Sequence, residues 1–314
     1  MTQGPAPDGQ PSTLELHEAT FRRAGATLLA ALSVRSNARR IGLVGDWEPL
    51  FRTLTGDANI SSGSAQIFGC ELGAAIDRGI VGFAACDPAL PASLSVRDYL
   101  QHAARLSHGS HSRATSDARR TLDEYGLTEL ASLELAQLVL HQRRALGIAC
   151  AALTAPPVLV LEAPLRDLDA ASASYVARLC THAGERSQLI VSSGAPSTPS
   201  AERALLDECD ELFLLQRGAL VAHGPPNVVF AAGTRYLLTL AGQNGGELSA
   251  TLEASGCQLS ELTSPTTFQG LLTEGRHVCR YCVELPNSGS PDLLLDAALA
   301  AGMTVLELEP VPPA

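Results

Sequence analysis

The stretch Ile41-Gly42-Leu43-Val44-Gly45-Asp46-Trp47-Glu48-Pro49-Leu50-Phe51-Arg52-Thr53 decides how this chain is read. Its first five residues form an apolar run closed by glycine, the pattern of a buried strand, and Pro49 marks the opening turn of a helix, where a missing N–H does no harm. A strand passing through glycine into a helix can hold a phosphate, because glycines let the chain curl and the helix N-terminus aims backbone N–H groups at the anion. The residues such a loop needs are absent. Counted from Gly45, a Gly-x-x-x-x-Gly-Lys-Ser/Thr loop requires glycine, lysine and a hydroxyl where the chain has Leu50, Phe51 and Arg52. Asp46 and Glu48 place two carboxylates at the positive end of the helix dipole, where they repel phosphate. The chain has no lysine at all, its 22 basic residues all being arginine.

Further blocks follow in a definite order. Ser61-Ser62-Gly63-Ser64-Ala65-Gln66-Ile67-Phe68-Gly69 precedes Val81-Gly82-Phe83-Ala84-Ala85-Cys86-Asp87-Pro88, a short apolar strand opening into a loop. Leu138-Val139-Leu140-His141-Gln142-Arg143-Arg144 leads to Pro156-Pro157-Val158-Leu159-Val160-Leu161-Glu162-Ala163-Pro164, whose continuous apolar core is that of a strand buried on both faces. Then come Leu165-Arg166-Asp167-Leu168-Asp169, the strand Gln188 to Ser193 followed by Gly194, and the closing run Asp210 to Pro225.

In this order the blocks resemble those of the ABC transporter ATP-binding subunits, over Leu14 to Phe230. The resemblance implies an α/β, P-loop NTPase-like nucleotide-binding domain over residues 14–232 with an α-helical subdomain at about 94–153. It also implies roles for the matching positions, and these are where the chain departs. The phosphate loop after Gly45 is shorter by roughly four residues than the family's. Cys86 stands where the family has the Q-loop glutamine that approaches the metal and the attacking water, and a thiol is a poor substitute. In the signature only Leu138 and Gln142 match; Val139 lacks the hydroxyl that reaches a partner's γ-phosphate, and His141 adds a side chain where backbone must come close. Glu162 replaces the Walker B aspartate, Ala163 the catalytic glutamate, and Gly194 the switch histidine, so no group remains to orient or deprotonate water. Asp169 matches the D-loop. Near the family's adenine-stacking aromatic stand Arg23 and, two residues earlier, Phe21.

The expectation is therefore a catalytically inactive homologue, without Mg-ATP as cofactor or binding it weakly, retained for docking or regulation. Its expected partners are an ABC-2-type permease, an active ABC ATPase sibling, or both. The alternatives are a free-standing cytoplasmic regulatory scaffold and an ATPase retaining weak nucleotide binding. An enzyme with new chemistry would use Cys86, His141 and Glu162 as nucleophile, base and orienter, but the family topology puts these on different faces. Otherwise Cys86 is small core filler, His141 a polar helix start, and Glu162 a half-buried carboxylate with an arginine partner. In the family a permease helix rests between the Q-loop and the helical subdomain, which makes Leu90 and Leu94 candidates for an apolar docking groove with Arg97 and Asp98 on its rim. The same leucines can instead serve only to pack the helical subdomain.

Composition narrows the partners. A net charge of −11 spread without a basic block leaves no electrostatic footprint for nucleic acid or an anionic bilayer. Residues 1–13 lack a signal sequence and read as a disordered lead, and no apolar run approaches the roughly 20 residues that span a bilayer. The expected location is cytoplasmic, peripheral to the inner face of the cell membrane through a partner, with no direct insertion. The eight cysteines read as reduced and buried. Cys279 and Cys282, near His277, are spaced as in a metal site, but on the strand expected over Arg276 to Leu285 they point to opposite faces. The polar break Ser107 to Ser112, with His108 and His111, reads as a solvated loop. Residues 233–314 alternate as βαββαβ, an expected small α+β, ferredoxin-like C-terminal domain. It is similar to the C-terminal extension of some ABC-2-type exporter ATPases.

Overall fold

The computed structural model describes residues 11–108, 110–194, 200–216, 218–232, 235–242, 245–262, 277–285 and 291–310. The central sheet has six strands, in spatial order β10 (Ala219–Gly224), β9 (Glu211–Gln216), β3 (Arg40–Gly45), β8 (Gln188–Ser193), β7 (Val158–Leu161) and β6 (Val81–Ala84). All neighbours are parallel except β10 on β9. Successive side chains on a strand point to opposite faces. Here Ile41, Leu43, Val158, Val160, Ile190, Phe213 and Leu215 enter one core, while Val44, Leu159, Leu161, Leu189, Val191, Leu212 and Leu214 enter the other. That is why these strands read as continuous apolar runs.

The first core is closed by an antiparallel sheet, in order β2 (Ala26–Ser36), β1 (Leu14–Arg23), β4 (Asn59–Ile67) and β5 (Cys70–Glu71), and by the short helix α1 (Glu48–Leu54). Chain order is established before β1: Ser12 and Thr13, assigned to the lead by sequence, are buried, and the Phe68 amide donates to the Thr13 carbonyl at 3.2 Å. The rest of that expected lead, residues 1–10, lies outside the described residues.

The second core is covered by helices. From the end of β6 the chain runs to α2 (Val96–His108), α3 (His111–Glu124) and α4 (Leu140–Ala152), followed after β7 by α5 (Ala170–Ala183), after β8 by α6 (Ala201–Asp207), and after β10 by α7 (Pro226–Ala232). The polar break expected as a loop over Ser107 to Ser112 is helical at both ends: α2 extends to His108 and α3 begins at His111. Arg105 donates to the His111 ring across this turn; Gly109 and the His108 side chain lie outside the described residues.

A third sheet has the order β12 (Gln258–Leu262), β13 (His277–Glu284), β11 (Arg235–Gly242) and β14 (Thr304–Pro310), with every pair antiparallel. With α8 (Gly245–Ala254) after β11 and α9 (Asp292–Ala300) after β13, the connectivity is that of a split βαβ unit. Leu248 and Leu252 of α8 and Leu294, Ala297 and Ala298 of α9 pack with Leu238, Leu240, Tyr281 and Val283 on one face of this sheet.

The close approach of α4 to the central sheet depends on Gly82. A Cβ built there would lie 2.1 Å from the Ala151 carbonyl oxygen and 2.8 Å from Pro156 Cγ. Neither obstacle is the free end of a flexible side chain, the first being a main-chain carbonyl in the last turn of α4 and the second part of a proline ring. Overpacking of this kind costs about 1–3 kcal/mol. Gly82→Ala is therefore expected to lower the unfolding free energy by that amount, read as a lower urea midpoint at an unchanged denaturant slope.

Candidate functional site

The connection from β3 to α1 is two residues long, Asp46 and Trp47. Gly45 has φ +93°, and a Cβ there would lie 2.0 Å from the Leu215 carbonyl oxygen, so the chain turns with backbone pressed against β9. Three of the amides at this turn are used internally. Asp46 N donates to Leu215 O at 3.1 Å, Trp47 N to Gly45 O at 2.9 Å and Leu50 N to Trp47 O at 3.1 Å, and Pro49 has no N–H to offer.

Trp47 fills the space beneath this turn. Its side chain is 1% exposed and lies edge-on to Phe213 at 6.5 Å. The indole Nε1 donates to both the Val44 and the Phe213 carbonyls, each at 3.1 Å. An N-cap position normally holds a small polar side chain that accepts a helix N–H; Trp47 holds it without such a bond. Reasoning from sequence overlooked this residue, although the signal was present: the only tryptophan in the chain stands between the last strand residue and the helix proline.

Of the two carboxylates at the helix start, Glu48 is paired with an arginine of its own helix. Arg52, one turn on, donates Nε to Glu48 Oε1 at 2.9 Å and also binds Asp57, which Arg23 reaches at 3.1 Å. The hydrogen bond from Arg52 holds the Asp57 carboxyl below the usual carboxylate range. Neither candidate for adenine stacking is presented for it. Phe21 is fully buried in the first core, opposite Leu29 and Ile60, and Arg23 belongs to the ion cluster.

At the ends of β6 and β7 the remaining vestigial positions meet. Glu162 Oε2 accepts the Cys86 backbone N–H at 3.2 Å, and the Cys86 thiol donates to the Ala163 carbonyl at 3.5 Å. Cys86 and Glu162 are thus neighbours, not on separate faces as inferred from topology, and the hydrogen-bond partner of Glu162 is an amide, not an arginine. The pair is not a nucleophile with its base. Burial pushes the Cys86 thiol up, and the nearby charges of Arg144 and Arg166 only partly oppose this. His141 is engaged elsewhere, its Nδ1 3.3 Å from Ser172 Oγ and its ring edge-on to Tyr175 at 6.1 Å.

Ala163 lies at φ +38°, the left-handed region, held by its own N–H on Ser192 Oγ at 2.9 Å. Gly194, exposed just past β8, has open space where a Cβ would project, and residues 195–199 beyond it lie outside the described residues. Gln142 and Asp169 serve as helix caps. Gln142 Oε1 accepts the Val139 N–H at 3.1 Å at the start of α4, and Asp169 Oδ1 accepts Ala171 N and Ser172 N at 3.0 Å each at the start of α5. Those bonds, the Ser172 amide foremost, hold the Asp169 carboxyl low.

In the docking stretch Leu90 and Leu94 are half-buried against the second core, while Arg97 and Asp98 are exposed. Asp98 also closes a cap at α2: its N–H donates to Ser95 Oγ at 3.1 Å, and that hydroxyl donates to Asp98 Oδ2 at 2.7 Å. Far along the chain, Cys279 and Cys282 lie on opposite faces of β13, the first packed toward the helices and the second beside Gln258 and Ser260. The His277 side chain lies outside the described residues.

No family model matches the chain. Two curated relatives align over 178 residues, the taurine import ATP-binding proteins TauB of Pseudomonas aeruginosa strains PAO1 and UCBPP-PA14, at 30% and 29% identity. The alignment takes in 56% of this chain and 62% of each relative, so the chain spans less than two thirds of the curated relatives it matches. Among solved structures, CbiO1 of Clostridium perfringens, part of the ABC transporter complex CbiONQ, superposes with a TM-score of 0.60 at 19% identity, over 70% of this chain and 91% of that one. An ATP-binding subunit of an ABC transporter superposes with a TM-score of 0.57 at 19% identity, over 68% and 90%. The fold is that of the ABC ATP-binding domains, a P-loop NTPase fold. Over the aligned region the chain is similar in sequence to these ABC transporter ATP-binding subunits.

Trp47 gives this site a direct test. Truncating a large buried aromatic costs about 3–5 kcal/mol, and losing the indole N–H alone leaves two carbonyls short of a donor, about 1–3 kcal/mol. Trp47→Ala is expected to lose the larger amount and Trp47→Phe the smaller in urea unfolding. The wild-type emission, arising from this one buried indole, is expected to shift to the red only on unfolding.

Proposed function

We propose that this chain is a catalytically inactive ABC ATP-binding subunit homologue, kept as a docking or regulatory subunit of an ABC-2-type transporter, bound to its permease, an active ATPase sibling, or both. The observation that carries the reading is the β3–α1 connection: two residues long, with its Asp46, Trp47 and Leu50 amides turned inward and Trp47 packed beneath it. A triphosphate needs several N–H groups and a cation aimed outward at one point. This connection offers neither a curled glycine loop nor a lysine. Glu162 is occupied by the Cys86 amide, and Ala163 and Gly194 supply no group to position water. The curated relatives are ABC ATP-binding subunits, which supports a membrane permease as partner. Among the described residues no helix is long and apolar enough to cross a membrane, so attachment through such a partner fits the chain.

A ligand that binds only the folded state raises its stability by mass action. Millimolar Mg-ATP is expected to leave the melting temperature unchanged, with no turnover above a protein-free blank; a clear rise or steady turnover overturns the reading. A variant carrying a glycine-rich loop with lysine after Gly45 is expected to bind ATP yet not turn it over, because no water-positioning group is restored.

Docking is tested separately. Leu90 and Leu94 line the stretch between β6 and α2 and are only half-buried, which leaves apolar surface for a partner's short helix. Leu90→Asp is expected to release the protein from the native membrane fraction with its melting temperature nearly unchanged. If the wild type itself does not fractionate with membranes, a free-standing regulatory scaffold replaces this reading.

A further inference from the structure

The contacts around Cys86 join the end of β7 to the start of the docking stretch. β6 ends at Ala84, whose carbonyl accepts the Glu162 amide at 2.9 Å, so β6 and β7 stay in register to their last residues. The Glu162 side chain then reaches back across the strand end to the Cys86 N–H at 3.2 Å, at the residue where the chain leaves the sheet. The same turn is held from the other side by the Cys86 thiol on the Ala163 carbonyl at 3.5 Å. Burial keeps that thiol neutral, and so able to donate. Ala163 is itself fixed in its left-handed conformation by Ser192 and by the Arg166 amide on its carbonyl at 3.2 Å.

The far end of the docking stretch is stitched differently. Leu135 N donates to Leu94 O at 2.9 Å, Ala136 N to Ala92 O at 3.3 Å and Val96 N to Leu133 O at 3.0 Å. Between these anchors, Asp87 to Leu90 carries no backbone hydrogen bond of its own among the described residues, and Pro88 has no donor. The path of Leu90 is therefore set from its two ends, by where the chain leaves Cys86 and by the Ala92 anchor, together with its packing on the second core.

We propose that Glu162 is a positioning residue for the docking segment, its carboxylate holding the Cys86 amide so that Leu90 is presented to the membrane partner without any nucleotide. The inference rests on the docking reading above and adds a task for the one carboxylate left at the strand end. A hydrogen bond to a charged acceptor shifts an opening equilibrium by roughly 10- to 100-fold.

The test is hydrogen exchange on the full chain, followed by membrane fractionation of the same variants. Glu162→Ala is expected to speed amide exchange in peptides spanning residues 86–91 by about tenfold or more, leaving peptides over 41–45 and 212–215 unchanged, and to reduce the membrane-bound fraction. Glu162→Gln, which keeps an acceptor oxygen, is expected to lie close to wild type in both. Should Glu162→Ala not fold, Glu162→Asp, whose carboxylate falls one methylene short of the amide, carries the same test. Unchanged exchange at 86–91, or an equal rise across the whole domain, overturns the proposal, as does a freed segment with an undiminished membrane-bound fraction. A wild type that never binds membranes, with local exchange responding as expected, overturns the docking reading and leaves the anchoring by Glu162 standing.

Discussion

The constraint on which the rest of this structure depends is that the central sheet is buried on both faces. Parallel strands joined by helical crossovers cannot leave a face to water, so every residue of β7 must be apolar, and neighbouring strands must sort their side chains alternately into two cores. Once that sheet is built, the carboxyl ends of β3, β6, β7 and β8 are brought side by side, and the loops leaving them face one another. Gly45, Trp47, Cys86, Glu162, Ala163 and Gly194 lie on or just beyond those ends. The fold supplies the place irrespective of what the side chains can do there.

What the side chains do is satisfy one another. The indole of Trp47 donates to two strand carbonyls, Glu162 accepts an amide from the neighbouring strand end, Gln142 and Asp169 cap α4 and α5, and Arg52 gathers Glu48 and Asp57. Buried polar groups must find partners. In a site built around a ligand some partners come from the ligand; for the Trp47 indole and the Glu162 carboxylate they come from within the chain. The same economy explains the neutral Cys86 thiol, which sits near two arginines yet is governed by burial and bonds to a carbonyl.

Much of this was legible in advance because periodicity and punctuation are local. The strands ending at Gly45 and Leu161, the helix opening near Pro49, the helical stretch after Leu94 and the strand and helix order of the last eighty residues follow from apolar spacing, glycine and proline alone. The local reading failed where a contact reached across the fold. It left Ser12 and Thr13 in a disordered lead, because the Phe68 amide and the Arg35 side chain that hold them lie far along the sequence. It read Ser107 to Ser112 as a loop, since composition does not reveal a helix resuming after a one-turn break.

The sequence by itself determined the layered α/β architecture, the likeness to ABC ATP-binding subunits and the absence of lysine, which no conformation can remedy. Those properties are carried by residue type and by spacing along the chain. Only the tertiary structure decided that Trp47 lies inward beneath the β3 turn, that Cys86 and Glu162 touch, and that Phe21 is sealed in a core. The first two depend on the parallel register that sets strand ends about 5 Å apart and joins residues up to 166 positions apart in sequence, as in the bond from Trp47 to Phe213; the third depends on the antiparallel sheet of β1, β2 and β4 closing over the central one.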